Sequence, residues 1–461
     1  MDSNILKSAG IKRQFKNVSD ILNIIPPEII EQFAVSTGVD RHAKLLQGGI
    51  VFNTLLHMLL TESKLSQRVA YDTLKDTTQL IPAIKGTPRP VRDHSSICKR
   101  LQHIKVDFFE KIYEKVRDYV TDVYDPVHLL KLHLAAVDST IVAETCNKLE
   151  EGFHIGNRSR DGGSRKHVKY SEVFDGLSVL GVCFNDDRTR QVENNALPEV
   201  IRSAARQDRL HRNLYLIDRG LKGSGVMEEL SGQNKGGEDR KVNFLVRVSD
   251  KRRVQVVETL RNDTGEYRTK DGRLVRIIEY DRVRIFSSAS SVPDPAVYLH
   301  TKAEVFDIKT DPELAHPKVV NLLTDVADLS AVDMLEAYRY RWMIEVFFKF
   351  IKQNLDFSHL LSTSANGLKV MMYMTMIAAM MVLLYAKSNE LGFRMAKFDF
   401  DLKLNNMIIA QYIIFTGGDP REFMNRYNLQ LPKWCSTYLP PHREDLAKIV
   451  TDYDSIHKQI H

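Results

Sequence analysis

Four residues in one strongly apolar stretch have the chemistry of a functional site. The stretch 336–355 reads EAYRYRWMIEVFFKFIKQNL and contains Tyr338, Arg341, Glu345 and Lys352. At 100° per residue these four side chains lie within about 60° of one another on a single helix that is apolar on its other sides. Ionised side chains are rarely buried unless they are paired or bind an ion. The pattern therefore predicts a buried helix whose polar stripe faces a partly solvated cleft.

A purely structural interpretation of this stripe stays open. Arg341 and Glu345 are four residues apart, which is the spacing of a helical ion pair that only fixes a helix in place. Structural ion pairs and functional sites look alike in a sequence.

Two aspartates at the ends of predicted strands supply further carboxylates. LLKLHLAAVDST predicts an apolar strand that ends on Asp138, and NLYLIDRG predicts another that ends on Asp218 just before a glycine. Either aspartate alone is typical of a turn or a helix N-cap. Together they would lie at the carboxyl ends of neighbouring strands, where α/β sheets bind ligands, with Glu345 as the third carboxylate.

Three converging carboxylates repel one another unless a cation lies among them. Oxygen ligands of this kind suit Mg²⁺ or Mn²⁺, and two such ions activate a water and stabilise the leaving oxygen of a phosphodiester. Arg341 and Lys352 on the same face would then meet the phosphate. The residues predict phosphodiester chemistry, with Asp138, Asp218 and Glu345 as catalytic metal ligands.

The elements around these residues indicate an α/β fold with helical N-terminal and C-terminal regions. Residues 1–125 read as helices and predict a DNA-end-binding domain, whereas 126–240 alternate strands and helices. Residues 241–310 alternate at period 2, as hairpins do. Residues 311–390 return to an apolar strand, the stretch quoted above and a packing helix, and 391–461 form a C-terminal region assigned to dimerisation.

A basic segment lies between the two aspartates. The chain carries a formal charge of +6, and much of this excess lies in the segment GNRSRDGGSRKHVK. Its cations are Arg158, Arg160, Arg165, Lys166 and Lys169. The glycines and serines favour a loop that tracks a phosphate backbone, and a merely solvated loop is the alternative.

Composition excludes several other classes of protein. The four cysteines match no CxxC or Cys/His spacing, so neither a structural zinc site nor a disulfide framework is indicated, and a reducing cytoplasm fits. The start of the chain lacks the apolar core of a signal peptide. Residues 370–386, VMMYMTMIAAMMVLLYA, are uncharged but Met-rich and short for a membrane span, so we expect a core helix and no membrane contact.

The sequence resembles the DDE transposases of bacterial and archaeal insertion sequences that carry a Tyr-x2-Arg-x3-Glu-x6-Lys (YREK) signature. Tyr338, Arg341, Glu345 and Lys352 match that spacing at every position, and VDST and LIDRG resemble the two aspartate motifs of the family. The resemblance covers residues 130–390. It implies an RNase H-like core, a mixed sheet flanked by helices, with a β-rich insertion between the second Asp and the Glu.

The resemblance also implies a site and partners. In the family the three carboxylates hold two Mg²⁺ ions, with Mn²⁺ as a substitute, and the Tyr, Arg and Lys of the signature contact DNA. The implied partners are double-stranded DNA, as terminal inverted repeats and as target, and a second copy of the chain that cuts in trans. The implied location is the prokaryotic cytoplasm, associated with the nucleoid when bound to DNA.

One feature departs from the family pattern. Relatives that excise through a DNA hairpin use a Trp of the β insertion to stack on a flipped base, whereas Trp342 and Trp434 lie outside it. Aromatic residues of the insertion that offer a stacking face instead are Tyr280, Phe286, Tyr298 and Phe306. Two other functions stay open: an RNase H-like DNA endonuclease without strand transfer, and a non-catalytic DNA-binding repressor derived from a transposase.

Overall fold

The computed structural model describes residues 6–62, 64–77, 94–145, 153–154, 166–185, 192–208, 212–219, 221, 223–232, 242–260, 265–269, 271–287, 290–306, 317–359 and 361–438. Its helices are α1 (Val18–Leu22), α2 (Pro27–Thr37), α3 (Gly48–Thr61), α4 (Gln67–Thr77), α5 (Ser95–His103), α6 (Val106–Val123), α7 (Glu193–Ala205), α8 (Ser224–Ser231), α9 (Ala331–Arg339), α10 (Trp342–Asn354), α11 (Ala365–Ser388), α12 (Phe393–Phe415) and α13 (Arg421–Arg426), followed by a 3₁₀ turn at Lys433–Tyr438.

Its strands are β1 (Leu6–Lys7), β2 (Gly10–Ile11), β3 (Tyr124–Asp125), β4 (His128–Leu129), β5 (Leu132–Thr145), β6 (Phe153–His154), β7 (Lys166–Phe174), β8 (Val179–Phe184), β9 (Asn213–Ile217), β10 (Asn243–Arg247), β11 (Val254–Thr259), β12 (Glu266–Arg268), β13 (Leu274–Ile285), β14 (Tyr298–Val305) and β15 (Lys318–Thr324).

The chain divides into two compact units. The first comprises residues 1–10, 126–141 and 169–347, and the second comprises the remainder. The first unit contains most of one mixed sheet, in the order β1-β4-β5-β9-β10-β15-β14-β13-β11. Strands β5, β9 and β10 run parallel, and β15 joins β10 antiparallel. The strands of 241–310 thus extend the same sheet that carries the two aspartates.

Helices cover both faces of the parallel strands. Apolar residues alternate along each strand, so Tyr215 and Ile217 enter the core that contains α7 and α8, whereas Leu214 and Leu216 enter the core that contains α9. Gly181 on β8 permits close packing of α7, because a Cβ there would lie 3.1 Å from the backbone oxygen of Val200. This arrangement confirms the predicted α/β, RNase H-like class, a mixed sheet flanked by helices.

The second unit is helical in most of its described part and is built around α11. Most side chains of this helix are buried, including Met374, Ile377 and Leu384 at 0% exposure. The helix is long and apolar enough to cross a membrane, but 89% of its most apolar window is buried inside the protein. The expectation of a core helix agrees with this burial. The predicted domain boundaries at 125, 240, 310 and 390 stay predictions.

Two local expectations were wrong. The strand that carries Asp138 does not end there, because β5 continues to Thr145. It also pairs with β7, a strand that the sequence pattern did not reveal. The stretch 336–355 is not one helix, because it breaks at Tyr340 and Arg341 between α9 and α10.

Candidate active site

Asp138 and Asp218 lie side by side on neighbouring parallel strands. The register of β5 and β9 places Val137 opposite Ile217, and the two aspartates are the next residues along each strand. Since side chains alternate along a strand, both carboxylates lie on the sheet face that α9 covers. Asp138 lies within its strand rather than at its end, but the predicted pairing of the two aspartates agrees with this register.

The turn between α9 and α10 brings three signature residues to the same face. Tyr338 lies in the last turn of α9, Arg341 in the connecting turn, and Glu345 in the first turn of α10. The turn is tightened by backbone bonds of the i to i−3 type, from the N–H of Arg341 to Tyr338 and from that of Ile344 to Arg341. Tyr338, Arg341 and Glu345 therefore lie on the same side despite the break, as the interpretation of the stretch as a single helix predicted.

Arg341 contacts all three carboxylates. Its Nη2 donates a hydrogen bond to Oε1 of Glu345. Its Nη1 lies 3.6 Å from Oδ2 of Asp138 and 4.0 Å from Oδ2 of Asp218, and it makes no hydrogen bond to any described residue. The Arg341 side chain is 13% exposed. The i, i+4 ion pair foreseen as a structural alternative therefore exists, but it is one part of a larger cluster.

The two aspartates differ in their environments. Burial raises the pKa of Asp138 to about 6, against the opposing effects of the Ser139 N–H and Arg341, and with help from the negative charges of Glu193 and Asp218. Burial also acts to raise the pKa of Asp218, but the Arg219 N–H, the Arg341 charge, the Tyr338 hydroxyl and the Arg247 charge together outweigh it, so the net pKa is lowered.

Tyr338 is a partner of Asp218. Its hydroxyl donates a hydrogen bond of 2.9 Å to Oδ1 of Asp218, and its ring lies 5.9 Å from the guanidinium carbon of Arg341. Burial and the neighbouring Asp218 charge raise the pKa of the phenol. Tyr338 therefore stays protonated and orients one oxygen of the carboxylate.

A cleft of about 640 Å³ opens beside Tyr338 and Arg341. Its cationic lining residues are Arg247, Arg273, Lys318, Arg339 and Arg341, and its acidic ones are Asp271 and Glu336. Arg339 pairs with both acids, at 3.0 Å and 2.9 Å, and Arg273 also lies 3.2 Å from Asp271. The cations outnumber the acids, so the lining of the cleft is positively charged. No local sequence pattern identifies Arg247, Arg273 and Lys318 as a group, because they come from three separate parts of the chain.

Trp342 lines the same cleft and is 61% exposed. The expectation of a helix apolar and buried around this position was wrong here, since the break before α10 turns the indole outward. Of the aromatic residues named in the β-rich segment, Tyr298 and Phe306 are buried, Tyr280 donates to the carbonyl of Leu329, and Phe286 packs on Arg253.

Two of the remaining predicted DNA-contacting residues, Lys352 and Lys169, belong to the described part of the chain. Lys352 lies two turns after Glu345 on α10, in the part of the helix that belongs to the second unit. Lys169 lies on β7, 3.7 Å from the carboxylate of Glu193. Arg158, Arg160 and Arg165, and the side chain of Lys166, lie outside the described residues, so the role of this loop stays a prediction.

The donor set fits a hard divalent cation. Asp138, Asp218 and Glu345 offer carboxylate oxygens, the ligands that Mg²⁺ and Mn²⁺ prefer. The buried Nη1 of Arg341 between the two aspartates marks a position that already favours positive charge. The three carboxylates could therefore hold the metal that the residue pattern predicts.

Comparison with known families matches residues 131–381, more than half of the chain, to the family described as "Transposase DDE domain". The matched region contains Asp138, Asp218 and Glu345, and such a family acts on DNA. No curated protein matches the chain. The chain belongs to the transposase DDE domain family.

Proposed function

We propose that this protein is the transposase of a prokaryotic insertion sequence. It binds the ends of its own element and catalyses metal-dependent cleavage and strand transfer of DNA, as a dimer that cuts each end in trans. The observation that carries the proposal is the convergence of Asp138, Asp218 and Glu345 around Arg341. A merely structural ion pair needs only one of these carboxylates.

The three carboxylates would hold the divalent metal, Mg²⁺ or Mn²⁺. When bound, such ions activate the attacking hydroxyl and stabilise the leaving oxygen of a phosphodiester. Tyr338 fixes Asp218 through its hydroxyl, so that the second oxygen of this carboxylate stays available to a ligand. The YREK signature thus includes a residue that orients a metal ligand as well as those assigned to DNA.

Arg341 changes its partner when substrate binds. In the free protein its guanidinium offsets the repulsion among the carboxylates. A metal ion would take over this function, and the released guanidinium forms charge-assisted hydrogen bonds to the phosphate. Arg341 thereby offsets the repulsion among the carboxylates before DNA binds, and it binds the phosphate of the DNA afterwards.

The cationic cleft holds the DNA strand next to the scissile phosphate. Lys318 and Arg273 are exposed on its lining and suit phosphate contacts. Trp342 is exposed in the same cleft and offers a face on which a base can stack. Trp342 would therefore stack on a flipped base, as a Trp of the β insertion does in relatives that excise through a DNA hairpin.

End joining tests the proposal directly. The protein is incubated with Mg²⁺, a labelled duplex carrying the inverted repeat that flanks its reading frame, and a target plasmid. Transfer of the labelled 3′ end to the plasmid is expected. Cleavage without joining would support an endonuclease instead, and repeat binding without cleavage would support a repressor.

A further inference from the structure

Strands β13 and β14 carry a second group of metal-ligating side chains. Glu279 and Asp281 are two residues apart on β13, and Asp281 lies opposite His300 on β14. The three side chains therefore share one face of the sheet. One ligand atom from each lies within 4.8 Å of the other two. None of these residues belongs to the group around Arg341.

His300 presents a lone pair to the two carboxylates. Its Nε2 lies 2.7 Å from Oδ1 of Asn321, and the amide nitrogen of Asn321 donates to the carbonyl of Ser249. The amide orientation is thus assigned by the hydrogen-bond network, and Nε2 carries the hydrogen. Nδ1 is then the acceptor nitrogen, as in histidines that bind metal while their other nitrogen donates to a neighbouring oxygen.

The Nδ1 atom lacks a partner although it is buried. The His300 side chain is 2% exposed, and Nδ1 makes no hydrogen bond to any described residue. It lies 3.9 Å from Oδ2 of Asp281 and 4.0 Å from Oε2 of Glu279. These separations are too long for hydrogen bonds, and they leave room for a cation at about 2.1 Å from each ligand atom.

The surroundings keep the site open on one side. Lys302 binds the other oxygen of Glu279, Oε1, at 3.0 Å, which leaves Oε2 directed at His300. The Glu279 side chain is 38% exposed, whereas that of Asp281 is 9% exposed. An ion can therefore enter from the solvent past Glu279. Its ligands on the buried side would be Asp281 and His300 in place of water.

We propose that Glu279, Asp281 and His300 form a second divalent-cation site, selective for Zn²⁺ over Mg²⁺. One imidazole nitrogen and two carboxylates suit a borderline cation, whereas Mg²⁺ prefers oxygen ligands and retains water. Asn321 orients the imidazole from the second nitrogen. The bound ion links β13 to β14 within the segment between Asp218 and Glu345.

Zinc binding to the full-length, chelator-treated protein tests the site. Titration calorimetry is done with Zn²⁺ in excess Mg²⁺, which occupies oxygen-ligand sites. We expect one Zn²⁺ to bind per chain, and Glu279→Gln, Asp281→Asn and His300→Gln each to weaken binding at least about tenfold. The matched control is Asp138→Asn with Asp218→Asn, which should leave this binding unchanged.

Melting curves with and without Zn²⁺ check that each variant is folded. If His300→Gln fails to fold, the half-exposed Glu279→Gln still decides the matter. Equal Zn²⁺ affinity in wild type and Glu279→Gln, or loss of Zn²⁺ binding only in the Asp138 and Asp218 control, would overturn the proposal. Absence of any Zn²⁺ binding would overturn it as well.

Discussion

Nη1 of Arg341 lies 3.6 Å from Oδ2 of Asp138, and neither group has another strong partner at that atom among the described residues. Arg341 comes from the turn between two helices, whereas Asp138 lies within a strand. The contact therefore joins the turn between α9 and α10 to strand β5 of the sheet. It also means that the protein supplies its own cation to a cluster of carboxylates that otherwise requires a metal ion.

The first prediction concerns this cation. Arg341→Met should destabilise the metal-free protein by about 1–2 kcal/mol, less than for a fully buried pair because the carboxylates are partly exposed. Millimolar Mg²⁺ should remove most of that difference, since a divalent ion offsets the same repulsion. Thermal melting of both proteins with and without Mg²⁺ measures this. A loss of stability in Arg341→Met that Mg²⁺ leaves unchanged would indicate a simple structural pair instead.

The second prediction concerns pH. The folded pKa of Asp138 is about 6, above its value of 3.8 when unfolded. The folded state therefore becomes less stable as the pH rises from about 4 to 6. The loss in the free energy of unfolding is at most about 3 kcal/mol, at about 1.36 kcal/mol per pKa unit. Asp138→Asn should stabilise the metal-free protein at pH 8 and not at pH 4. Equal effects at both pH values, in metal-free melting curves, would show that the carboxyl titrates normally.

The third prediction concerns the cleft. Replacing Lys318 and Arg273 with alanine should weaken binding to all DNA sequences and flatten the slope of log K against log salt by about 1.4–1.8, at about 0.7–0.9 per lost phosphate contact. The matched control removes two cations that do not line the cleft, Lys251 and Arg284. Identical slopes for the two double variants would argue against a DNA path through the cleft.

The fourth prediction concerns Trp342. Trp342→Ala should lower end cleavage by about 5- to 150-fold, because stacking of one base contributes about 1–3 kcal/mol. Trp342→Phe should retain most activity, since it keeps an aromatic face. The melting temperature should not change, because the side chain is largely exposed. Normal cleavage by Trp342→Ala would remove the residue from the site.

The proximity of Asp138, Asp218 and Glu345 could be predicted because the sequence signals that indicate it are local. The apolar runs around Asp138 and Asp218 can each be recognised from a few residues. The spacing from Tyr338 to Glu345 places both side chains on the same side even though the helix breaks between them. The break itself is not predictable, because nothing in the composition of Tyr340 and Arg341 interrupts a helix. The tighter turn at Tyr340 and Arg341 occurs together with a tertiary contact, that of Arg341 with Asp138 on the sheet.

The cleft and the second metal group could not be predicted, because both depend on strand register. Arg247, Arg273 and Lys318 meet only because β10, the start of β13 and β15 share a sheet. His300 faces Asp281 through a register that shifts at a bulge between Ile277 and Glu279. A one-residue slip would turn these side chains to opposite faces, and no residue pattern specifies where a bulge occurs.

The most direct test of the central claim is Mg²⁺-dependent cleavage of the element's terminal repeat by Asp138→Asn, Asp218→Asn and Glu345→Gln. Each change removes a ligand charge but little volume, so we expect cleavage to fall below detection while repeat binding, measured by gel shift without metal, stays within about twofold. Lys115→Gln, a change of charge in the helical second unit, should cleave normally. Cleavage near the wild-type rate by any one of the three variants would contradict the assignment of that residue to the metal site.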